Sequence, residues 1–313
     1  MGVVERVQQI TGYSVLRKLG SGSYGDVYEG RTRGNRPVAL KVIDRTRGEA
    51  EARLEIAALE AGTELSHPCL LQTFDTWTEP DFVVIAMELA DGNLRQRLDW
   101  CRTQDKTAGI PPDELLVYAK EAGQALDYLH AQGKLHRDVK PDNILLVNTL
   151  TPPAHAKLGD CGLLREMGAE AATMTTRGTP AYIAPETWKR QTSPASDQYA
   201  LAITYAELRL GRRPYPSGDI AALLEAVALY EPDLKGMEPR ELEAVRRALS
   251  KTPAGRYPSC AEFVEALEAA LTLRSGDFKP RGREIALANR RSAIERRPSS
   301  SPEIPIPSVP TQR

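Results

Sequence analysis

The chain lacks the features that mark a membrane, secreted or nucleic-acid-binding protein. Its 313 residues contain no run of about 18 apolar residues, and the first 12 lack the apolar core of a signal peptide. No membrane segment is expected, and the expected location is cytoplasmic. Charge of one sign is also missing: 41 Lys and Arg stand against 42 Asp and Glu, a net of −1. So even a balance offers no electrostatic basis for gripping nucleic acid or a lipid surface. Cysteine is scarce. Cys69, Cys101, Cys161 and Cys260 lie far apart with no metal-type pairing, which fits free thiols in a reducing compartment.

What is present is enough to build a two-part globular body. Hydrophobic residues make up 41% of the chain, and the length suggests about two domains. The charge balance conceals a local bias: from Arg274 onward nine Lys/Arg face four Asp/Glu, so the tail carries +5 and the body −6. Pro298, Pro302, Pro305, Pro307 and Pro310 with a serine run cannot bury enough apolar surface to fold. Residues 274–313 are therefore expected as a basic, Pro/Ser-rich disordered tail or linker, and residues 1–12 as an N-terminal extension.

The chemistry concentrates in Leu135-His136-Arg137-Asp138-Val139-Lys140-Pro141-Asp142-Asn143, which packs a base, a cation and an amide between apolar flanks. A carboxylate to accept a hydroxyl proton, an ammonium near a moving phosphate and an amide oxygen for a metal are what phosphoryl transfer requires. Position by position, this stretch resembles the catalytic loop of eukaryotic-type (Hanks-type) protein kinases, and Lys140 points to the serine/threonine branch, in a bacterial-like member.

The rest of the chain agrees in order. Strands are expected at 13–19 and 27–33 around Gly20-Ser21-Gly22-Ser23-Tyr24-Gly25, where glycines let backbone amides approach phosphates. In isolation the same residues also suit an ordinary hairpin turn. A strand after the glycines, rather than a helix, argues against a dinucleotide-binding turn. Lys41 falls inside the apolar strand Val38–Ile43, where an ammonium needs an anionic partner. The resemblance supplies one: a glutamate on a helix over 49–65, assigned to Glu55, with Glu51 and Glu60 as alternatives.

Strands at 70–76 and 82–87 complete a five-stranded lobe, and Met87 falls at the gatekeeper position. The resemblance places nucleotide against Leu19, the glycine segment, Val27, Ala39, Met87 and backbone groups of Glu88 and Ala90. A helix over 112–132 carries an apolar stripe of Leu116, Ala119, Gly123, Leu126 and Leu129 and stops at Gly133. A short buried strand at 144–147 follows. Asp160, with Asn143, is the expected metal pair for Mg²⁺ on ATP. Helices near 219–229, 239–249 and 259–273 close the second lobe.

The resemblance covers roughly residues 13–273 and implies an α+β bilobal kinase fold, with an antiparallel N-lobe (13–89) and a mostly helical C-lobe (90–273). It implies transfer of the ATP γ-phosphoryl group to Ser/Thr hydroxyls of proteins, with Asp138 as base and Lys140 neutralising charge. Arg137 is expected to hold a phosphate on Thr175 or Thr176, with Thr173 nearby, placed in trans through self-association. Thr179 is expected to bond Asp138 and Lys140. Glu186 with Arg256, and Asp197 beneath the catalytic loop, are expected as scaffold. One departure stands out: Cys161 replaces the usual phenylalanine. With the irregular spacing of Glu55, it supports a second reading as a nucleotide-binding scaffold without transfer. A small-molecule kinase fits less well, since Gly178-Thr179 and Ala184-Pro185-Glu186 resemble a peptide platform.

Overall fold

The structure, a computed structural model, describes residues 12–22, 25–44, 65–78, 81–148, 154–160, 165–166, 180–215 and 219–272. The expected helix over 49–65 lies almost wholly outside these residues.

Two strands organise the first lobe because they are apolar almost throughout. β3 (Pro37–Asp44) and β5 (Phe82–Met87) are rich in β-branched residues and nearly all buried, which suits the middle of a sheet. They occupy it: β1 (Tyr13–Gly22), β2 (Gly25–Thr32) and β4 (Thr73–Thr78) complete an antiparallel sheet in the order β1-β2-β3-β5-β4. The two-residue period then sorts side chains. Tyr28, Val38, Leu40, Val42, Val84 and Ala86 form one apolar cluster, and Ile43, Val83 and Ile85 a second, with Met87 packed on it. Lys41 pairs with Ile85 and Ala39 with Met87, so these residues share the second face.

Two expected boundaries move. β1 and β2 run further into the glycine segment, with Gly20 opposite Val27 and Gly22 opposite Gly25. Gly25 has φ +152, and a Cβ there would lie 2.1 Å from the Val42 carbonyl oxygen. That glycine answers to the close approach of β3. The fourth strand starts at Thr73, not Leu70, because the backbone before it is committed elsewhere: Leu71 donates to the Leu158 carbonyl and Leu158 to Cys69.

The second lobe begins at β6 (Gly92–Asn93) and α1 (Leu94–Trp100). The Asn93 side chain accepts from the Gln96 N–H at 3.0 Å, and Gln96 returns the bond to the Asn93 N–H at 3.1 Å. This reciprocal cap is legible as Asn-x-x-Gln, though the helix was not expected. α2 (Pro112–Ala131) opens with Pro112, Asp113 and Glu114, which suit the unpaired amides and positive end of a helix start. Its buried face centres on Leu115, Tyr118, Ala122, Leu126 and Leu129, so Leu115 rather than Leu116 leads the stripe.

β7 (Lys134–Leu135) pairs with β10 (Arg165–Glu166), and β8 (Ile144–Val147) joins β6 to β9 (His155–Leu158). α3 (Pro194–Leu210) is buried from Asp197 through Leu208, the mark of a central helix. α4 (Ile220–Leu229), α5 (Pro239–Ala248) and α6 (Cys260–Thr272) surround it within a residue or so of expectation.

The fold makes a test of two glycines sharing φ +71. A Cβ at Gly133 would meet nothing within 4 Å, whereas at Gly211 it would lie 1.7 Å from the Ala108 carbonyl oxygen. Gly133→Ala is expected to cost about 1–2 kcal/mol of backbone strain. Gly211→Ala should cost at least about 3 kcal/mol, since α3 or the 108 turn must shift. Urea denaturation of both variants checks the ranking.

Candidate active site

The catalytic loop is short, polar and buried, so its backbone needs partners. Asp197, 2% exposed on α3, supplies them: its two oxygens accept from the His136 N–H at 2.9 Å and the Arg137 N–H at 2.8 Å, and His130 Nε2 lies 2.9 Å away. Burial alone would raise the Asp197 carboxyl. The His130 hydrogen bond and charge, the charge of His136 and the Arg137 amide outweigh it and hold the group below the ordinary value of 3.8. Arg137 has φ +67, a conformation costly for any residue with a Cβ. The Asp197 anchor offsets it.

Within that frame the reactive groups converge. Asp138 is 4% exposed. Lys140 Nζ lies 2.7 Å from its Oδ2, and Asn143 Nδ2 donates to the same oxygen at 2.9 Å and to the Asp138 carbonyl at 2.8 Å. The loop is also tied to the next segment. Gly159 donates its N–H to the Asn143 carbonyl at 2.8 Å, and its own carbonyl lies 3.0 Å from His136 Nε2. Gly159 therefore delivers Asp160, at φ +59, to the Asn143 side of the loop.

From the other lobe Lys41 reaches the same place: its Nζ is 2.6 Å from Asp160 Oδ1. Desolvation would raise the Asp160 carboxyl, but the Lys41 charge and hydrogen bond, helped by His136 and Lys140, keep it below the ordinary range. Asp160 stays ionised at neutral pH. The Asp160 carboxylate and the Asn143 amide oxygen offer only oxygen donors, the kind that suits a hard divalent cation.

The other expected positions lie on the sheet and on the segment that joins the lobes. Ala39, at 6% exposure, lies on the Lys41 face opposite half-buried Met87, and Leu19, 41% exposed, ends the regular part of β1 beside Gly20 and Ser21. The Glu88 N–H donates to Gln72 O at 2.8 Å. Of its two backbone groups only the carbonyl can therefore serve a nucleotide, a narrowing of the expectation; Ala90 is half-buried just beyond. The Glu88 side chain holds Lys157 at 2.8 Å, which ties the strand before Asp160 to the connection between lobes. That contact was not read from the sequence.

Glu186 and Arg256 form a buried two-point pair, with both nitrogen–oxygen distances 2.7 Å. Arg137 Nη2 donates to Thr192 Oγ1 at 2.9 Å. Glu55, with Glu51 and Glu60, and Ser23, Tyr24, Cys161, Thr173, Thr175, Thr176 and Thr179 lie outside the described residues.

With the geometry in hand, comparison with known proteins is direct. The family described as "Protein kinase domain" matches residues 13–265. Serine/threonine-protein kinase PknF of Mycobacterium tuberculosis is 33% identical over 268 residues, covering 82% of this chain and 56% of that protein. Serine/threonine-protein kinase PknA of the same organism is 31% identical over 283 residues, 86% of this chain and 63% of that protein. Serine/threonine-protein kinase 36 of Pongo abelii is 32% identical over 219 residues, 69% of this chain and 16% of that protein. The chain thus spans a little over half the length of the mycobacterial relatives.

The Asp197 anchor has a pH signature. Its carboxyl is depressed in the folded chain, so its stabilising contribution is complete above the ordinary value of 3.8 and fades as pH falls through the lower folded value. Asp197→Asn is expected to cost about 2–4 kcal/mol near neutrality. Urea denaturation at a series of pH values should show that gap closing only in strongly acid solution.

Proposed function

The chain belongs to the protein kinase family, as a bacterial-like member of the Hanks-type serine/threonine branch, and from that premise we propose that it transfers the terminal phosphoryl group of ATP to serine or threonine hydroxyls of proteins. One observation carries the reading. Lys41 from the sheet meets Asp160 at 2.6 Å, Lys140 and Asn143 meet Asp138 at 2.7 and 2.9 Å, and the 2.8 Å bond from the Gly159 N–H to the Asn143 carbonyl ties the two groups together. A carboxylate, two ammonium groups and a cation-binding oxygen pair are the parts that in-line phosphoryl transfer uses.

Each side chain has a role its surroundings suit. Asp138, held by Asn143 and Lys140, accepts the hydroxyl proton of the substrate; its burial excludes competing water. Lys140 neutralises charge developing on the moving group. Lys41 fixes the nucleotide phosphates, and Glu55 is the residue assigned to steady it. Family membership implies ATP and a divalent cation; we take the cation to be Mg²⁺, supplying neutralisation of the phosphate charge, with Asp160 and Asn143 as its protein ligands. Leu19, the glycine segment, Val27, Ala39, Met87 and the Glu88–Ala90 backbone would enclose the nucleotide. Positioning and electrostatics then carry most of the rate.

Regulation follows from Arg137. A phosphate on Thr175 or Thr176, carrying about −1.5 to −2 charge, would offer that guanidinium a two-point partner and order the segment. Transfer between two copies of the chain would place it there. The reading as a nucleotide-binding scaffold rests on Cys161 and the Glu55 spacing.

Single-turnover transfer from labelled ATP decides between them. The native chain should phosphorylate a Ser/Thr protein, and Asp138→Asn should lose about 10²–10⁴ in rate while still shifting its melting temperature with nucleotide. Equal rates for the two would remove Asp138 from the mechanism. Mass spectrometry of the active chain should find phosphate at Thr175 or Thr176, and an unmodified segment in fully active protein would remove the activation proposal.

A further inference from the structure

A second charged cluster lies against the catalytic loop, and the transfer chemistry does not use it. Glu207 on α3 is 5% exposed at its side chain and accepts on one oxygen from Arg95 Nη1 at 2.8 Å and on the other from the Tyr182 hydroxyl. Arg95 Nη2 donates to the same Tyr182 oxygen at 2.8 Å. Arg213, in the turn after α3, sets its Nε 3.6 Å from Glu207, with its guanidinium 5.8 Å from the Tyr182 ring centre. Burial, with the charge of Glu207, raises the Tyr182 phenol well above its ordinary value, so Tyr182 remains a neutral donor.

The cluster touches the catalytic loop and the segment that leads into Ala184-Pro185-Glu186. Arg95 Nε lies 3.6 Å from Asp142, beside the Asn143 that holds Asp138. Tyr182 stands two residues before Ala184-Pro185-Glu186. One buried carboxylate is thus shared by two guanidinium groups, and both of its oxygens are taken. The Arg213 side chain remains 41% exposed.

We propose that Arg213, backed by Arg95, Glu207 and Tyr182, is a specificity site that takes the carboxylate of an aspartate or glutamate near the acceptor hydroxyl of the substrate chain. The proposal rests on the reading as a protein serine/threonine kinase. A guanidinium presents five donors in a planar fork that matches a carboxylate. With its Nε edge toward Glu207, Arg213 has its outer nitrogens for a second anion. A substrate arginine meets the opposite situation: to reach Glu207 it must displace Arg95 and lie beside Arg213, and like charges at that range repel. The cluster therefore selects acidic neighbours of the acceptor and rejects basic ones.

The test uses matched peptides with one acceptor in an uncharged background, moving Asp or Arg through roughly three positions on either side, about 10 Å of extended chain. Transfer kinetics and anisotropy of labelled peptides without ATP are both read. At one or more positions Asp should outperform Arg about threefold to tenfold in kcat/KM, through KM, and should bind more tightly by a similar factor. Added salt should erode the preference, since Arg213 is partly exposed. Arg213→Glu should abolish or invert it while leaving kcat on the uncharged peptide unchanged, and Arg213→Lys should keep part of it. Equal performance or an arginine preference at every position would overturn the proposal, as would Arg213→Glu retaining the native ranking. If no peptide is phosphorylated, the kinase reading fails. The anisotropy ranking then decides the proposal alone: tighter binding of Asp peptides upholds it, and equal or looser binding overturns it.

Discussion

The carboxylate of Asp197 holding the His136 and Arg137 amides is the contact on which the rest of the site depends. A loop that follows irregular backbone around a reactive carboxylate cannot satisfy its own amides through regular hydrogen bonding, and buried unpaired amides are costly. Here the acceptor is a charged group on the most deeply buried helix of the second lobe. Its position is as rigid as the core around it. Through Asn143, Gly159 and His136 that rigidity passes to Asp138 and Asp160 in turn.

The two lobes contribute unlike things. The sheet offers a lysine in an apolar strand, held on the cleft-facing side by the alternation of β3 and β5. The helical lobe offers carboxylates on irregular backbone, two of whose residues, Arg137 and Asp160, stand at positive φ. Strain of that kind persists only where the surroundings over-determine it. The 2.6 Å contact between Lys41 and Asp160 joins the lobes, and the Glu88–Lys157 pair braces the same junction from the connecting segment. Opposite charges gathered where water is partly excluded interact more strongly than at the surface, which suits the polyphosphate and cation of the proposed reaction.

The proposed role of the Glu207 cluster extends this logic from chemistry to selection. A lone buried glutamate beside a substrate path would attract arginine. With both oxygens engaged by Arg95 and Tyr182, and Arg213 alongside, the charge of Glu207 is satisfied within the cluster. On that proposal, a change of a few residues outside the reacting centre would alter which chains are accepted while leaving the transfer machinery intact.

The order of motifs, the apolar strands around Lys41, the long helix before the catalytic loop and the polar residues of that loop were legible in the sequence. Each depends on local pattern: alternation, capping residues, glycines, and polar groups at short spacing. The helix at 94–100 had a local signal too, in Asn93 and Gln96. Other features depend on partners far along the chain. The fourth strand begins at Thr73 because residues 69–71 bond to Leu158, and Gly25 is a glycine because β3 lies over it. Lys41 meets Asp160 across 119 residues of sequence, and Glu207 is neutralised by Arg95, 112 residues away. The sequence alone determined which side chains suited to phosphoryl transfer are present. The tertiary structure decided which of their charges are satisfied internally, because that depends on contacts no local spacing encodes.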